Sequence, residues 1–600
     1  MTSNLSRRGF LGTGLGVAIT VALPGSSFAS DRPARPSAAP ESGLTFASPE
    51  LTPYVDEMPV PPVLQGDRTL SIAASSHRFH RDLGIAPTWS YGGQEYLGPT
   101  IEAHTDQPIQ LIFDNKLGKH LFAADVDTSL DGASEEDRTK PRVSVHLHGA
   151  VTPPDMDGHP EDTFLPSTSM TYRHHNAQQA TNLWYHDHAM GITRLNVVAG
   201  LAGMYFLRDR YDTGTSSNTL GLPSGDFEVP LILADRRFHD DGSLNFRTVR
   251  YVEQGHWEGG QIGDRMTVNG VVSPYFRVAR GLYRFRVLNA SNARGYNLFF
   301  TNRMAFWVIG NDSGLLNMAA HTTSVRVTPG ERVDLIVDFS GLAKGDQVEL
   351  TNDQEEAAEV VAGTGAEVLR DLVRFIGTGA TGHRTALPDT LRGGSGQPSP
   401  LGLVPLTPLR RTLSLTQDPA RTWPPLSMAL NNLCYMDDPI VKATQGITEL
   451  WEIVNSSPED HPIHLHLVNM RILNRQYFDV NAYLAANPRP DVGTYWAPLA
   501  DPFLRGLPIP PEAWESGQKD TIRCPQNMVT RFVVRFPTAD ELGFDPDATF
   551  QSPAGKSIQG YVWHCHIIDH EDQCMMSRYR ITSGLNIPIP SLPVPSLPGI

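Results

Sequence analysis

Apolar and polar residues alternate with a period of two along many short stretches of this chain. Ile109-Gln110-Leu111-Ile112-Phe113-Asp114-Asn115 and Tyr283-Arg284-Phe285-Arg286-Val287-Leu288-Asn289 follow the pattern over most of their length. Val333, Leu335, Val337 and Phe339 share one side of another such stretch. That period predicts half-buried strands. Long amphipathic helical patterns are scarce. The strands also echo one another. Glu449 to Ser457 resembles Tyr283 to Ser291, and Arg531 to Phe536 resembles Arg332 to Phe339. Internal echoes of this kind predict a repeated β-domain.

Turn residues divide the repeats. A Pro-, Ala- and Ser-rich stretch over 30–60 reads as a linker, followed by a first unit over 61–212 and a second over 225–380. A Gly-, Pro- and Thr-rich linker over 381–410 precedes a third unit over 411–585, and a Pro-rich tail closes the chain at 586–600. The 52 Gly and 48 Pro suit many turns, and 600 residues need several cores. A net charge of −16 argues against nucleic acid, because phosphate binding needs a basic face.

The N-terminus reads as an address. Ser6-Arg7-Arg8-Gly9-Phe10-Leu11 is a twin-arginine pattern before an apolar run from Leu15 to Leu23, with Ser27-Phe28-Ala29 as a small-residue cleavage site. Residues 1–29 are thus expected to direct export by the twin-arginine machinery of a bacterium, to the periplasm or beyond. An ordinary secretory signal or an uncleaved tail is the alternative. No other apolar stretch is long enough to predict a membrane span.

The chemistry concentrates in Trp563-His564-Cys565-His566-Ile567-Ile568-Asp569-His570-Glu571-Asp572-Gln573-Cys574-Met575. A thiolate, an imidazole and a weak thioether, completed by a distant second His, form the ligand set of a blue-copper electron-transfer site. Cys565, His570 and Met575 supply three donors, and His461 is the unpaired fourth. Met576 is a competing thioether. In a strand, His564 and His566 point away from Cys565, so both can serve a second metal centre. Electrons arriving at Cys565 then need only a few covalent bonds to reach either one.

His-x-His pairs stand at 146/148, 186/188, 464/466 and 564/566. Chance predicts about one such pair or fewer from 21 His in 600 residues. The pairs also echo across the chain. Leu183-Trp184-Tyr185-His186-Asp187-His188 resembles Tyr561 to His566, with Asp187 where the later copy has Cys565. His146-Leu147-His148 resembles His464-Leu465-His466. Imidazole alone suits several metals, but the neighbouring thiolate and thioether select copper. No carboxylate falls in the ligand pattern, which argues against a non-heme iron triad.

These motifs, in this order and over nearly all of residues 60–582, resemble the multicopper oxidases, and among them the bacterial three-domain laccases of spore-coat type, bilirubin oxidase and phenoxazinone synthase. Gly517-Gln518-Lys519-Asp520-Thr521 and Leu430-Asn431-Asn432 share in the resemblance. It implies an all-β fold of three cupredoxin-like Greek-key barrels and four copper ions. His461, Cys565, His570 and Met575 would form the type 1 site. His146 and His464 would hold the type 2 copper. His148, His186, His188, His466, His564 and His566 would hold the type 3 pair. The expected partners are a small-molecule reductant and O2. The resemblance also offers Glu571 and Asp157 as proton relays; the plainer readings are a partner of an imidazole for Glu571 and a turn residue before Gly158 for Asp157.

The cysteines number four: Cys434, Cys524, Cys565 and Cys574. If Cys565 binds metal, at most one disulfide can form. Cys434–Cys524 is the favoured pair, since both lie outside the metal motif; free buried thiols are the alternative. A thiol at Cys574 departs from the family pattern. Three functions compete: oxidation of phenols, aminophenols or tetrapyrroles; oxidation of a metal ion; and a copper-free structural role, which retention of the full ligand set opposes. The 15 Met are scattered, which disfavours Cu(I) as a substrate. Residues 479–516 are expected to wall the substrate pocket.

Overall fold

The computed structural model describes residues 46–405, 407–418, 423–437 and 441–586. The export pattern and nearly all of the Pro-rich tail lie outside the described residues. The alternating stretches form strands as predicted, including Ile109–Asn115, Leu282–Asn289 and Arg332–Asp338. They assemble into three pairs of sheets, each pair closing on its own apolar core.

The outer two units repeat four strands of one sheet in the same order. In the first, Thr100–His104, Ala202–Arg208, Thr181–Asp187 and Val145–His148 lie side by side in that order. In the third, Val441–Thr444, Met576–Thr582, Tyr561–Cys565 and His461–Leu465 do the same. In both units the first two strands are parallel and the next two contacts antiparallel. The register repeats as well: His146 faces His186, and His464 faces His564. Because side chains alternate across a strand, this register brings each unit's two His-x-His pairs together.

Two expectations change. Residues 46–60 are not a free linker, because the backbone of Met58 pairs with Tyr275 and its side chain is buried in the middle unit's core. The disulfide is Cys434–Cys574, not Cys434–Cys524. Cys524 ends a strand opposite His461 and is wholly buried in the third core, whereas Cys574 pairs with Ala429, just before the Cys434 segment. Residues 479–516 pack on the third unit around Phe478, Tyr483 and Trp496, and Trp496 donates its backbone N–H to the Asn431 carbonyl.

Candidate metal centre

The eight histidines of the paired motifs are all buried and converge between the outer units. His146 of the first unit stacks on His466 of the third with ring centroids 3.9 Å apart, and His148 stacks on His464 at 3.7 Å. His188 Nε2 and His466 Nε2 each lie 3.3 Å from His564 Nε2.

Hydrogen bonds on the outer nitrogens fix which atom faces inward. His146 Nδ1–H donates to the Asp157 carbonyl at 2.6 Å, and His464 Nδ1–H donates to the Asp520 carbonyl at 2.9 Å. His466 Nδ1–H donates to Asp157 Oδ2 at 2.6 Å. His148 Nε2–H reaches Asp520 Oδ1 and Thr521 Oγ1, both at 3.0 Å. Glu571 stands between His188 Nδ1, at 3.2 Å, and His564 Nδ1, at 3.0 Å. His146 Nε2, His148 Nδ1, His186 Nε2, His464 Nε2 and both nitrogens of His566 have no hydrogen-bond partner.

Burial, helped by neighbouring imidazoles, pushes His146, His148, His188, His464, His466 and His566 well below the usual histidine range, and burial holds His186 at about 3. Neutral rings whose outer nitrogens carry the proton aim lone pairs at one another. Buried polar atoms left this way are costly unless a cation joins them. The donor set therefore fits metal ions bound by imidazole.

The second centre lies on the other face of the strand Tyr561–Cys565. Cys565 Sγ is 3.4 Å from His461 Nδ1 and 3.9 Å from His570 Nδ1. Ser457 Oγ, 2.7 Å from His461 Nε2, leaves Nδ1 to face the sulfur. Burial pushes the Cys565 thiol up, lowers His461 to about 4 and lowers His570 further. A thiolate metal site fits here, since metal binding displaces that proton. Met575 is buried in the same core as Cys565, and its carbonyl accepts the Cys565 N–H at 2.9 Å. Met576 packs instead with Met190, Tyr435 and Val562.

Every histidine expected as a ligand, and Cys565, thus lies at one of two buried centres, and Met575 is buried in the core that holds the second. The middle unit contributes residues that the sequence pattern had not singled out. Trp257 donates its indole N–H to the Asp569 carbonyl and holds its ring 6.5 Å from that of His570. Gly330 has φ +80°, and a Cβ there would stand 2.6 Å from the His566 ring. Arg332 donates to the Asn182 carbonyl of the first unit and to both Asp520 oxygens of the third.

A family model described as multicopper oxidase matches residues 405–584, and another of the same description matches 136–212. A laccase of Bacillus subtilis is 33% identical over 558 residues, covering 89% of this chain and 99% of its own. The chain belongs to the multicopper oxidase family. The multicopper oxidase LPR1 of Arabidopsis thaliana is 31% identical over 573 residues, covering 89% of this oxidase and 93% of its own length. Among solved structures, the McoA multicopper oxidase of Aquifex aeolicus has the same fold, with a TM-score of 0.64 at 22% identity, covering 88% of this oxidase and 99% of that chain. The three sheet pairs are accordingly cupredoxin-like barrels, and copper is the metal that the imidazole and thiolate donors serve.

Proposed function

We propose that this oxidase is laccase-like. It takes electrons one at a time from a phenol, aminophenol or tetrapyrrole near His461 and His570, and it reduces O2 to water at the histidine cluster. Copper, when bound, supplies the single-electron chemistry: one ion at His461, Cys565, His570 and Met575, one at His146 and His464, and two at His148, His186, His188, His466, His564 and His566. The observation that carries this reading is the strand Tyr561–Cys565, which turns Cys565 to one centre and His564 to the other. The bonds from Cys565 to its neighbours form a short covalent path for electrons.

Glu571 and Asp157 are buried against ligand imidazoles from both outer units, so both stand where protons are consumed. Oxygen uptake by copper-loaded protein with o-aminophenol, 2,6-dimethoxyphenol, bilirubin, Cu(I), Mn(II) and Fe(II), with an assay for peroxide, tests the reading. Uptake with an organic donor and no peroxide supports it. No uptake at full copper content overturns it.

A metal ion as electron donor is the second reading, and Glu459 favours it. This residue lies two positions before His461, and its Oε1 is buried without a partner. Burial, then Glu356, Glu359 and Asp460, push its carboxyl up to about 8. A divalent cation would relieve that crowding. Glu459→Gln should then slow oxidation of Fe(II) or Mn(II) while sparing organic donors. The Arg7-Arg8 pattern supports export through the twin-arginine route, and Arg7→Lys with Arg8→Lys should retain the protein in the cytoplasm.

A further inference from the structure

Met575 presents a design problem that its own side chain does not solve. A thioether is a weak donor on a flexible stem, so bond strength does not set its distance from the metal. The backbone must set it. Met575 donates its N–H to the His570 carbonyl and accepts from Cys565 N–H, which closes a short loop carrying two of the donors. The residue just before it, Cys574, caps the helix Ile568–Gln573 and is bonded to Cys434.

The Cys434 end of this bond is firmly held. Asn432 donates from Nδ2 to the carbonyls of Pro490, Asp491 and Thr494 at 3.3, 2.9 and 3.1 Å. Asn431 Oδ1 accepts from Ser414 N–H at 2.9 Å. Tyr435 donates its hydroxyl to Glu161 Oε2 of the first barrel at 2.9 Å. On the Met575 side the ties are non-covalent: Gln573 Oε1 accepts Met428 N–H at 2.8 Å, Asp572 accepts the N–H groups of Gly191 and Arg194 at 2.8 Å each, and the strand from Met576 pairs with Tyr561–Cys565. The disulfide is the covalent link between an anchored segment and the neighbour of the axial donor.

We infer that Cys434–Cys574 is a positioning device for the Met575 thioether, holding it relative to Cys565 and so setting the electronic character of the thiolate centre. The inference rests on Met575 as the axial donor. It assigns the disulfide a task beyond stabilising the chain against unfolding. It also gives Cys574 a use that the family pattern does not supply.

The test uses the copper-loaded full chain. Cys434→Ala with Cys574→Ala removes the bond and creates no new free thiol to bind metal. The readouts are copper per chain, the visible thiolate-to-copper band, the type 1 EPR signal, the midpoint potential and Tm. The expected result is full copper and an unchanged histidine cluster, with a shifted potential and a broadened type 1 signal. Adding Met575→Leu closes a double-mutant cycle. In the Met575→Leu background the loss of the disulfide should produce no further shift in potential.

A lower Tm with an unchanged type 1 spectrum and potential overturns the inference and leaves the disulfide purely structural. Equal shifts with and without Met575 also overturn it, because the bond then acts by another route. A potential unmoved by Met575→Leu alone defeats the axial assignment, and the inference with it. Should the double alanine variant not fold, Asn432→Ala loosens the Cys434 anchor and keeps the bond. A shift in the same direction supports the inference, and an unchanged type 1 signal overturns it.

Discussion

Asp157 and Asp520 do the same work from opposite sides of the histidine cluster. Each gives its backbone carbonyl to a histidine of its own barrel, His146 for Asp157 and His464 for Asp520. Each gives its carboxylate to a histidine of the other barrel, His466 for Asp157 and His148 for Asp520. The repeated barrels thus exchange carboxylates across their interface. Orienting partners of this kind fix which nitrogen of a histidine is free for metal.

Asp520→Ala should therefore lose copper from the cluster while keeping the thiolate band. It also takes from the buried Arg332 guanidinium its closest carboxylate, with two contacts at 2.6 Å, and leaves Asp312 at 3.8 Å as the nearest counter-charge. Breaking a buried pair this way costs about 3–5 kcal/mol. Copper analysis, the visible spectrum and thermal unfolding check both parts. Retention of full copper with unchanged Tm would sink the prediction.

Gly330→Ala should damage the cluster from the middle barrel. The new Cβ would meet the His566 ring at 2.6 Å, at a φ of +80°. Backbone strain of that kind costs roughly 1–3 kcal/mol before the clash is counted. Expected results are a lower Tm and weaker spectral signatures of the cluster, measured side by side with Gly341→Ala, where no atom lies within 4 Å of the new Cβ.

Acid should weaken the third barrel through Glu515. Burial alone would raise this carboxyl, but Arg475, bonded to both oxygens at 2.7 Å, holds it at about 2 against an ordinary 4.5. A depressed folded-state value gives stability that is complete above about 4.5 and is lost as pH falls toward 2. The loss amounts to roughly 3 kcal/mol, to order of magnitude. Glu515→Gln should flatten that part of the stability profile, as followed by denaturant unfolding between pH 5 and 2.

Removing copper should loosen the two outer barrels from each other. His188 from one, and His466 and His564 from the other, bring ligand atoms together at one point. A ligand at 100 times its Kd stabilises the folded state by about 2.7 kcal/mol. The chelated protein should unfold at lower temperature and less cooperatively than the copper-loaded one. Identical calorimetric profiles would contradict this.

Much of the centre was legible because its donors are rare residue types at short fixed spacing. The echo of Leu183–His188 in Tyr561–His566 also carried the strand face, since side chains two residues apart point to the same side of a strand; the pairing register came only with the structure. Asp520 and Arg332 were harder. A carboxylate two barrels away from its histidine has no local pattern, and Asp520 was visible only as part of a family-like motif. Trp257 and Gly330 act through closeness in space, which spacing along the chain does not encode. The cysteine pairing failed for a related reason: lying outside the metal motif says nothing about distance, and it was the Ala429–Cys574 contact that brought Cys434 near.

Along the chain, 376 residues separate His188 from His564, although their Nε2 atoms nearly touch. At about 5–20 residues per second, synthesis of that interval takes on the order of half a minute. A nascent chain holds four of the eight paired histidines until His464 is made and six of them from His466 until His564, but never the completed pocket. Whatever supplies the copper therefore meets a finished cluster only on molecules already synthesised through His566, and a filled pocket certifies that both outer barrels have been made.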